Sequence, residues 1–165
     1  MCSVSADVMF TATRSSFLAG LLIAGGSTFD FVHAATPTMV VNKDPNCGCC
    51  SGWVEHVKAA GFATRVNEVS DLAPLKSQLS IPAALASCHT AQIEGYVIEG
   101  HVPASAIKRL LSERPSAIGL AVPGMPVGSP GMEVPGAPDE VFHVVLFGPS
   151  GERVYAKFKG AQELL

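Results

Sequence analysis

Short apolar runs alternate with amphipathic stretches along the chain, and this alternation predicts strands interleaved with helices. Four segments of the first half carry the pattern: a β-branched strand TMVVNK (38–43), an amphipathic helix SGWVEHVKAAGF (51–62), a strand ATRVNEV (63–69) and a short helix DLAPLKSQL (71–79). Gly61 is a natural stop for the first helix. This order of strand, helix, strand and helix is typical of an α/β domain.

The second half adds further strands and one more helix. In chain order these are the strand-like IPAALASCHTAQI (81–93) and GYVIEG (95–100), the helix PASAIKRLLSE (103–113), and the strands VFHVVLFG (141–148) and RVYAKFKG (153–160), joined as a hairpin at PSG. Residues 119–140 are rich in proline and glycine and predict a loop long enough to need a functional reason. Together the segments predict a thioredoxin-like α/β sandwich, a single domain with a long Pro/Gly-rich loop.

Residues 1–34 have the pattern of a secretory signal peptide. They carry one positive charge at Arg14, then the apolar run FLAGLLIAGG, then a polar stretch ending in VHA with the small residues of an export peptidase site. We expect cleavage after Ala34, and a start at Met9 would bring the segment into the usual range of about 15 to 30 residues. A membrane anchor is the alternative, but the apolar run is shorter than the roughly 20 residues that span a bilayer. We therefore expect an exported domain over 35–165.

The charge balance excludes some classes of partner. The whole chain has a formal net charge of −3. Removal of residues 1–34, which contain Arg14, Asp7 and Asp30, changes the net charge to about −2. The remaining lysines and arginines are scattered singly, so the sequence predicts neither a nucleic-acid surface nor, after signal cleavage, a membrane surface. A chain of this length supports one domain with one modest core.

Three cysteines are crowded into PNCGCCSGW (45–53), between the first strand and the first helix. Cys47 and Cys50 therefore form a C-x-x-C at a helix N-terminus. The helix dipole and the free backbone N–H groups there favour the thiolate, which is the form that reacts and binds metals. Pro82 precedes the segment that contains Cys88, and in thioredoxin-like folds a proline at that place faces the cysteine loop. We therefore expect Cys88 to approach the cluster.

Three longer segments resemble the CopG-like family of periplasmic copper-resistance proteins, also known as domain of unknown function 411. They are PNCGCCSGWVEHVKAAGF, SCHTAQIEGYVIEGHVPASAIKRLL and IGLAVPGMPVGSPGME. The resemblance covers nearly the whole chain after the predicted signal peptide, from about Val40 to Phe147. It implies a thioredoxin-like fold, a periplasmic location, and a role in copper tolerance, with copper ions, periplasmic copper chaperones or efflux components as partners. It also implies that copper is held by four cysteines: Cys47, Cys49, Cys50 and Cys88.

The chemistry of the cysteines supports copper independently of the resemblance. Thiolates are soft ligands that select Cu(I), and their sulfurs can bridge several ions, so Cu(I), in one site or a multinuclear cluster, is the expected cofactor. Structural disulfides are one alternative, because four cysteines of an exported chain can form two bridges. A bridge between sequence neighbours such as Cys49 and Cys50 is strained, however. A structural zinc site is another alternative, although zinc sites usually place their cysteines in two spaced pairs.

Histidines and methionines supply further candidate ligands. His89 follows Cys88 directly, so in a regular strand its side chain would point to the opposite face. His101 precedes a helix start, while Met125 and Met132 lie in the Pro/Gly-rich loop and carry thioethers soft enough for Cu(I). All four also have structural interpretations. Other polar or aromatic candidates receive mainly structural assignments: His56 as a surface residue, His143 as a strand residue, Trp53 as core, and Glu99 and Glu133 as solvated groups or as groups that orient a ligand.

Two classes of function remain open. In the first, an exported copper-binding protein of copper tolerance holds Cu(I) for sequestration, transfer or redox conversion. In the second, an oxidoreductase uses the C-x-x-C at Cys47 and Cys50 for thiol–disulfide exchange, or couples a cysteine-bound copper cluster to electron transfer, so enzymatic activity is undecided. Thiol–disulfide exchange needs only two thiols, so the presence of a third thiol at Cys49 favours metal binding. A structural interaction module is a third candidate.

Overall fold

A computed structural model describes residues 37–164, and these form a mixed α/β fold, as predicted. The predicted signal peptide, residues 1–34, lies outside the described residues. The strands are β1 Thr38–Lys43, β2 Ala63–Glu68, β3 His89–Ile93, β4 Tyr96–Glu99, β5 Gly119–Ala121, β6 Val141–Gly148, β7 Gly151–Lys159 and β8 Gln162–Leu164. The helices are α1 Gly48–Ala59, α2 Ala73–Gln78 and α3 Ala104–Glu113, with a short 3-10 turn at Ala83–Leu85.

All eight strands of residues 37–164 belong to one sheet, in the order β2-β1-β3-β4-β5-β6-β7-β8. The pairs β1/β2 and β4/β5 are parallel, and the other neighbouring pairs are antiparallel. A parallel pair needs a crossover connection, and α1 and α3 supply the two crossovers. The cysteine loop therefore lies where the chain leaves the C-terminal end of β1 to enter α1.

Each face of the sheet carries its own apolar cluster. The larger cluster packs α1 and α3 against the sheet and includes the fully buried Trp53 and Ile107. The smaller cluster includes Leu85 and packs the segment before β3 against the sheet. Along β6, Leu146 belongs to the larger cluster and Phe147 to the smaller one, because successive side chains of a strand point to opposite faces. Trp53 is therefore a core residue, as predicted.

Several boundaries differ from the sequence-based prediction. Residues 81–93 are not one strand: a 3-10 turn occupies Ala83–Leu85 and β3 begins only at His89. Pro82 has no N–H to donate to a ladder, which disfavours a strand at this point. Helix α1 begins earlier than predicted, at Gly48, so Cys49 and Cys50 lie within its first turn and Cys47 is its N-cap residue.

Two short strands were also missed by the prediction. The first three residues of the Pro/Gly-rich segment 119–140 form β5, and Gln162–Leu164 form β8. Each strand has three residues, too few for an alternating pattern to be recognised, and pairing with neighbouring strands decides their conformation. Within residues 37–164, every helix falls short of the length and apolar character needed to cross a bilayer.

Candidate metal centre

The start of α1 positions three of the cysteines. Cys47 is the N-cap residue, with an extended backbone, and its Sγ accepts a hydrogen bond from the backbone N–H of Cys50 at 3.3 Å. Cys50 is fully buried, whereas Cys47 and Cys49 are half-buried. The first turn of α1 contains no acidic residue, so no carboxylate there competes with the thiolates for the helix dipole.

A disulfide bond joins Cys47 to Cys50, whose Cα atoms are 5.3 Å apart. The Sγ of Cys49 lies 3.5 Å from the Sγ of Cys47. Among the cysteines of residues 37–164, Cys49 and Cys88 carry free thiols. One bridge with two adjacent free thiols differs from the pair of structural bridges considered from the sequence. The structure therefore shows an oxidised C-x-x-C, whose reduction yields a group of four thiols.

Cys88 reaches this group through the pairing of β3 with β1. His89, the next residue, lies opposite Lys43 at the end of β1, beside the cysteine loop. The Sγ atoms of Cys88 and of the three loop cysteines all lie within 4.8 Å of one another. Burial, followed by the charge of Cys49, raises the pKa of the Cys88 thiol to about 11. The expected approach of Cys88 is confirmed, and a metal that binds there must displace its proton.

Two histidines also lie against Cys88. Its Sγ lies 3.3 Å from Nδ1 of His89 and 3.1 Å from Nε2 of His101, and the three residues form a second potential metal-binding group. Because β3 begins only at His89, strand alternation does not separate this side chain from that of Cys88. Nδ1 of His101 donates a hydrogen bond to the carbonyl of Pro130 at 2.8 Å, which leaves the Nε2 lone pair facing Cys88.

Both imidazoles are held in the neutral form. Burial, helped by the adjacent His101, lowers the pKa of His89 to about 3. Burial also lowers the pKa of His101, against the opposing effects of its hydrogen bond to Pro130 and of the Glu133 carboxylate. The neutral imidazole is the form that binds metal ions.

Trp53 forms the back of the site. Its ring packs on His89, with centroids 4.4 Å apart, and its indole Nε1 donates to the carbonyl of Val102 at 2.9 Å. Nε2 of His89 is buried and has no hydrogen-bond partner among the described residues. The imidazole is therefore oriented by packing and by its contact with Cys88.

The Pro/Gly-rich loop packs beside the cysteines. Gly131 has a φ of +85° and approaches α1 so closely that a Cβ there would lie 2.5 Å from the carbonyl oxygen of Cys49 and 2.6 Å from the backbone nitrogen of Trp53. Only glycine satisfies both the conformation and the contact. Farther back in the loop, the carbonyl of Gly124 accepts a hydrogen bond from Oγ of Ser87 at 2.7 Å. The loop is thus attached on both sides of the site.

The two candidate methionines lie in this loop in different surroundings. Met125 is 52% exposed and follows the anchored Gly124. Met132 is half-buried and follows Gly131, and its backbone N–H donates to the carbonyl of Ser129 at 2.7 Å. A role for either thioether in holding Cu(I) stays a prediction.

Other predicted residues have structural partners. Nε2 of His56 accepts a hydrogen bond from the backbone N–H of Ala104 at 3.1 Å, so this half-buried side chain links α1 to the start of α3 instead of lying on a free surface. His143 is an exposed strand residue, as predicted. Glu133 is exposed and accepts from the N–H of Gly131 at 2.9 Å.

Glu99 is fully buried, so the solvated interpretation of this residue is wrong. It bonds to residues that the sequence reasoning did not single out, among them Lys76 and Ser87. These contacts join residues distant in sequence, and no local pattern indicates them. The carbonyl of Pro130, which orients His101, was missed for the same reason.

The donor atoms gathered here fit a soft metal ion. They are cysteine sulfurs and neutral imidazole nitrogens, which suit copper, and the two potential metal-binding groups contain no carboxylate. The hydrogen bond from His101 to Pro130 is the kind of outer contact that fixes the tautomer and orientation of a metal-binding histidine.

Comparisons with known proteins point to the same chemistry. The family described as "Protein of unknown function, DUF411" matches residues 85–132, a range that includes Cys88, His89 and His101. A solved structure described as "Copper resistance protein copG- Form 2" is similar with a TM-score of 0.69 and 43% identity, and "Copper resistance protein copG- Form 1" with a TM-score of 0.69 and 44% identity. Each similarity covers 74% of this chain and 98% of the other. The search of curated proteins yields no match.

Proposed function

The chain belongs to the CopG-like, DUF411 family of copper-resistance proteins, and from this membership we propose that it holds Cu(I) through its cysteine cluster as a factor in copper tolerance. The observation that carries the proposal is the position of four cysteine sulfurs within 4.8 Å of one another. Three come from one helix start and the fourth from the chain before β3. Such a group exceeds what a single disulfide exchange needs, and its sulfurs suit Cu(I).

Each group in the site has a distinct task in this proposal. The N-terminus of α1 stabilises the negative charge of the thiolates of Cys47, Cys49 and Cys50 once the disulfide is reduced. Cys88 releases its proton on metal binding and supplies the fourth sulfur. His89 and His101 offer neutral nitrogens next to Cys88 and extend the donor set on that side.

We further propose that the protein works in the periplasm after loss of residues 1–34. The signal pattern supports export, and a disulfide such as Cys47–Cys50 is typical of an oxidising compartment. Periplasmic copper chaperones or efflux components are then the partners that would deliver or remove the metal. The β1-α1-β2 unit with a C-x-x-C at the helix start, followed by antiparallel strands, supports a thioredoxin-like classification of the fold.

The Cys47–Cys50 disulfide favours a second candidate, a thiol–disulfide oxidoreductase. A dithiol substrate would attack this disulfide through a mixed disulfide, and its second thiol would resolve that intermediate. The substrate loses two electrons and two protons and becomes a disulfide, while Cys47 and Cys50 become thiols. This exchange requires neither Cys49 nor Cys88.

Anaerobic Cu(I) titration of the reduced protein, combined with elemental analysis and a free-thiol count, distinguishes copper binding from thiol–disulfide exchange. We expect more than one copper ion per chain and protection of all four thiols, because thiolate sulfurs bridge Cu(I). Cys49→Ser is expected to abolish high-affinity binding, whereas Ser51→Ala, a change to an exposed residue in the same helical turn, leaves it intact. Full copper stoichiometry in Cys49→Ser would contradict the cluster. Absence of copper together with cycling of Cys47 and Cys50 would favour the oxidoreductase.

A further inference from the structure

The buried carboxylate of Glu99 holds the chain on both sides of Cys88 through hydrogen bonds. Oε1 of Glu99 accepts hydrogen bonds from Nζ of Lys76 and, at 2.6 Å, from the backbone N–H of Ser87. Oε2 of Glu99 accepts from Oγ1 of Thr90 at 2.7 Å. Ser87 and Thr90 bracket the pair Cys88–His89, so one carboxylate fixes the backbone just before the cysteine and the side chain just after the histidine.

Lys76 completes this arrangement from α2. Its Nζ donates to Oγ1 of Thr90 at 2.8 Å as well as to Glu99, and its side chain is 14% exposed while that of Glu99 is fully buried. A buried ion pair is weak support for stability, because apolar residues of similar volume often serve as well. Apolar residues, however, cannot accept hydrogen bonds from the N–H of Ser87 and the hydroxyl of Thr90. The ion pair therefore serves to orient these two groups.

The segment that Glu99 holds has little other support from regular structure. The 3-10 turn ends at Leu85 and β3 begins at His89, so Ser87 and Cys88 belong to neither element. Oγ of Ser87 bonds to the Pro/Gly-rich loop, but its backbone N–H is satisfied by Glu99. A shift of Ser87 would move the adjacent Cys88 sulfur, and metal sites tolerate only about 0.2 Å of error in ligand distances.

We propose that Glu99, paired with Lys76, is a positioning residue that sets the place of the Cys88 sulfur for metal binding. The inference rests on the proposed function in so far as Cys88 binds Cu(I). Glu99 does not touch the metal in this proposal. It acts through Ser87 and Thr90, and Lys76 holds its carboxylate in place through hydrogen bonds to Glu99 and Thr90.

The first test measures Cu(I) affinity by anaerobic competition with a chromogenic chelator. Loss of an outer partner of a metal ligand weakens binding by roughly 10- to 100-fold, and we expect this range for Glu99→Gln. Glu55→Gln is the matched control, because it also removes one carboxylate charge, from a largely exposed ion pair with Lys58. The double variant Lys76→Gln/Glu99→Gln leaves no unpaired buried charge, and we expect its affinity to stay low even where its stability recovers. Wild-type affinity in the double variant would overturn the proposal.

A second measurement separates positioning from general loosening and does not depend on copper. In the metal-free protein with the Cys47–Cys50 bond intact, iodoacetamide reacts with Cys49 and Cys88, and mass spectrometry gives each rate. We expect Glu99→Gln to change the ratio of the Cys88 rate to the Cys49 rate several-fold and Glu55→Gln to leave it unchanged. An unaltered ratio would refute positioning. A wild-type protein that binds no Cu(I) would instead refute the proposed function, while the ratio would still decide the role of Glu99.

Discussion

Replacement of Gly131 by alanine tests whether the Pro/Gly-rich loop is fitted to α1 beside the cysteines. The backbone there has a φ of +85°, and a left-handed conformation costs a residue with a Cβ roughly 1 to 2 kcal/mol. The new Cβ would also lie 2.5 Å from the carbonyl oxygen of Cys49 and 2.6 Å from the nitrogen of Trp53. Both are backbone atoms, so the loop must shift, and overpacking of this kind typically costs about 1 to 3 kcal/mol. We expect Gly131→Ala to lower the free energy of unfolding by about 2 to 5 kcal/mol in total.

Gly136→Ala is the matched control, because Gly136 has a φ of +82° but a Cβ added there would meet nothing within 4 Å. Its free energy of unfolding should fall only by the cost of the left-handed backbone conformation, about 1 to 2 kcal/mol. Urea unfolding of both copper-free variants, followed by circular dichroism, gives the difference. A shift of the loop also moves the Pro130 carbonyl away from His101, so Cu(I) affinity should fall in Gly131→Ala alone. Equal stability losses in the two variants would refute the argument that contact with α1 is what requires glycine.

Two further predictions concern the histidine and the tryptophan behind the cysteines. Burial holds the pKa of His89 at about 3 in the folded protein, so between that value and the ordinary value of about 6.5 only the unfolded chain takes up the proton. Its contribution to stability is therefore complete above pH 6.5 and falls with decreasing pH, by about 2 kcal/mol between pH 7.5 and 5 in urea titrations. His143→Gln, at an exposed site, should keep this dependence, and a flat profile would contradict it. Trp53→Phe removes the donor to the Val102 carbonyl and should cost about 1 to 3 kcal/mol for that group alone. Tyr155→Phe, which loses an exposed bond to Glu113, should cost less in the same unfolding measurement, and a reversed order would contradict the argument.

Local sequence determined much of the fold and one part of the site. Strands β1 and β6 were predicted at their observed bounds, because a run of β-branched and apolar residues bounded by turn residues carries its own signal. The place of Cys47 and Cys50 at the start of α1 was equally local. Two residues three positions apart at a helix N-terminus are neighbours whatever the rest of the chain does.

Only the tertiary structure decided which distant groups complete the site. Cys88 was expected near the cluster by analogy with a fold, but the pairing of β3 with β1 is what brings it there. The side chains of His89 and Cys88 are in contact because β3 begins only at His89. The sequence pattern predicted that this strand begins earlier. The bonds of Glu99 to Lys76 and Ser87 arise from packing between elements far apart in the chain. Such contacts produce no periodic pattern in the sequence, because each joins single residues that only the folded chain brings together.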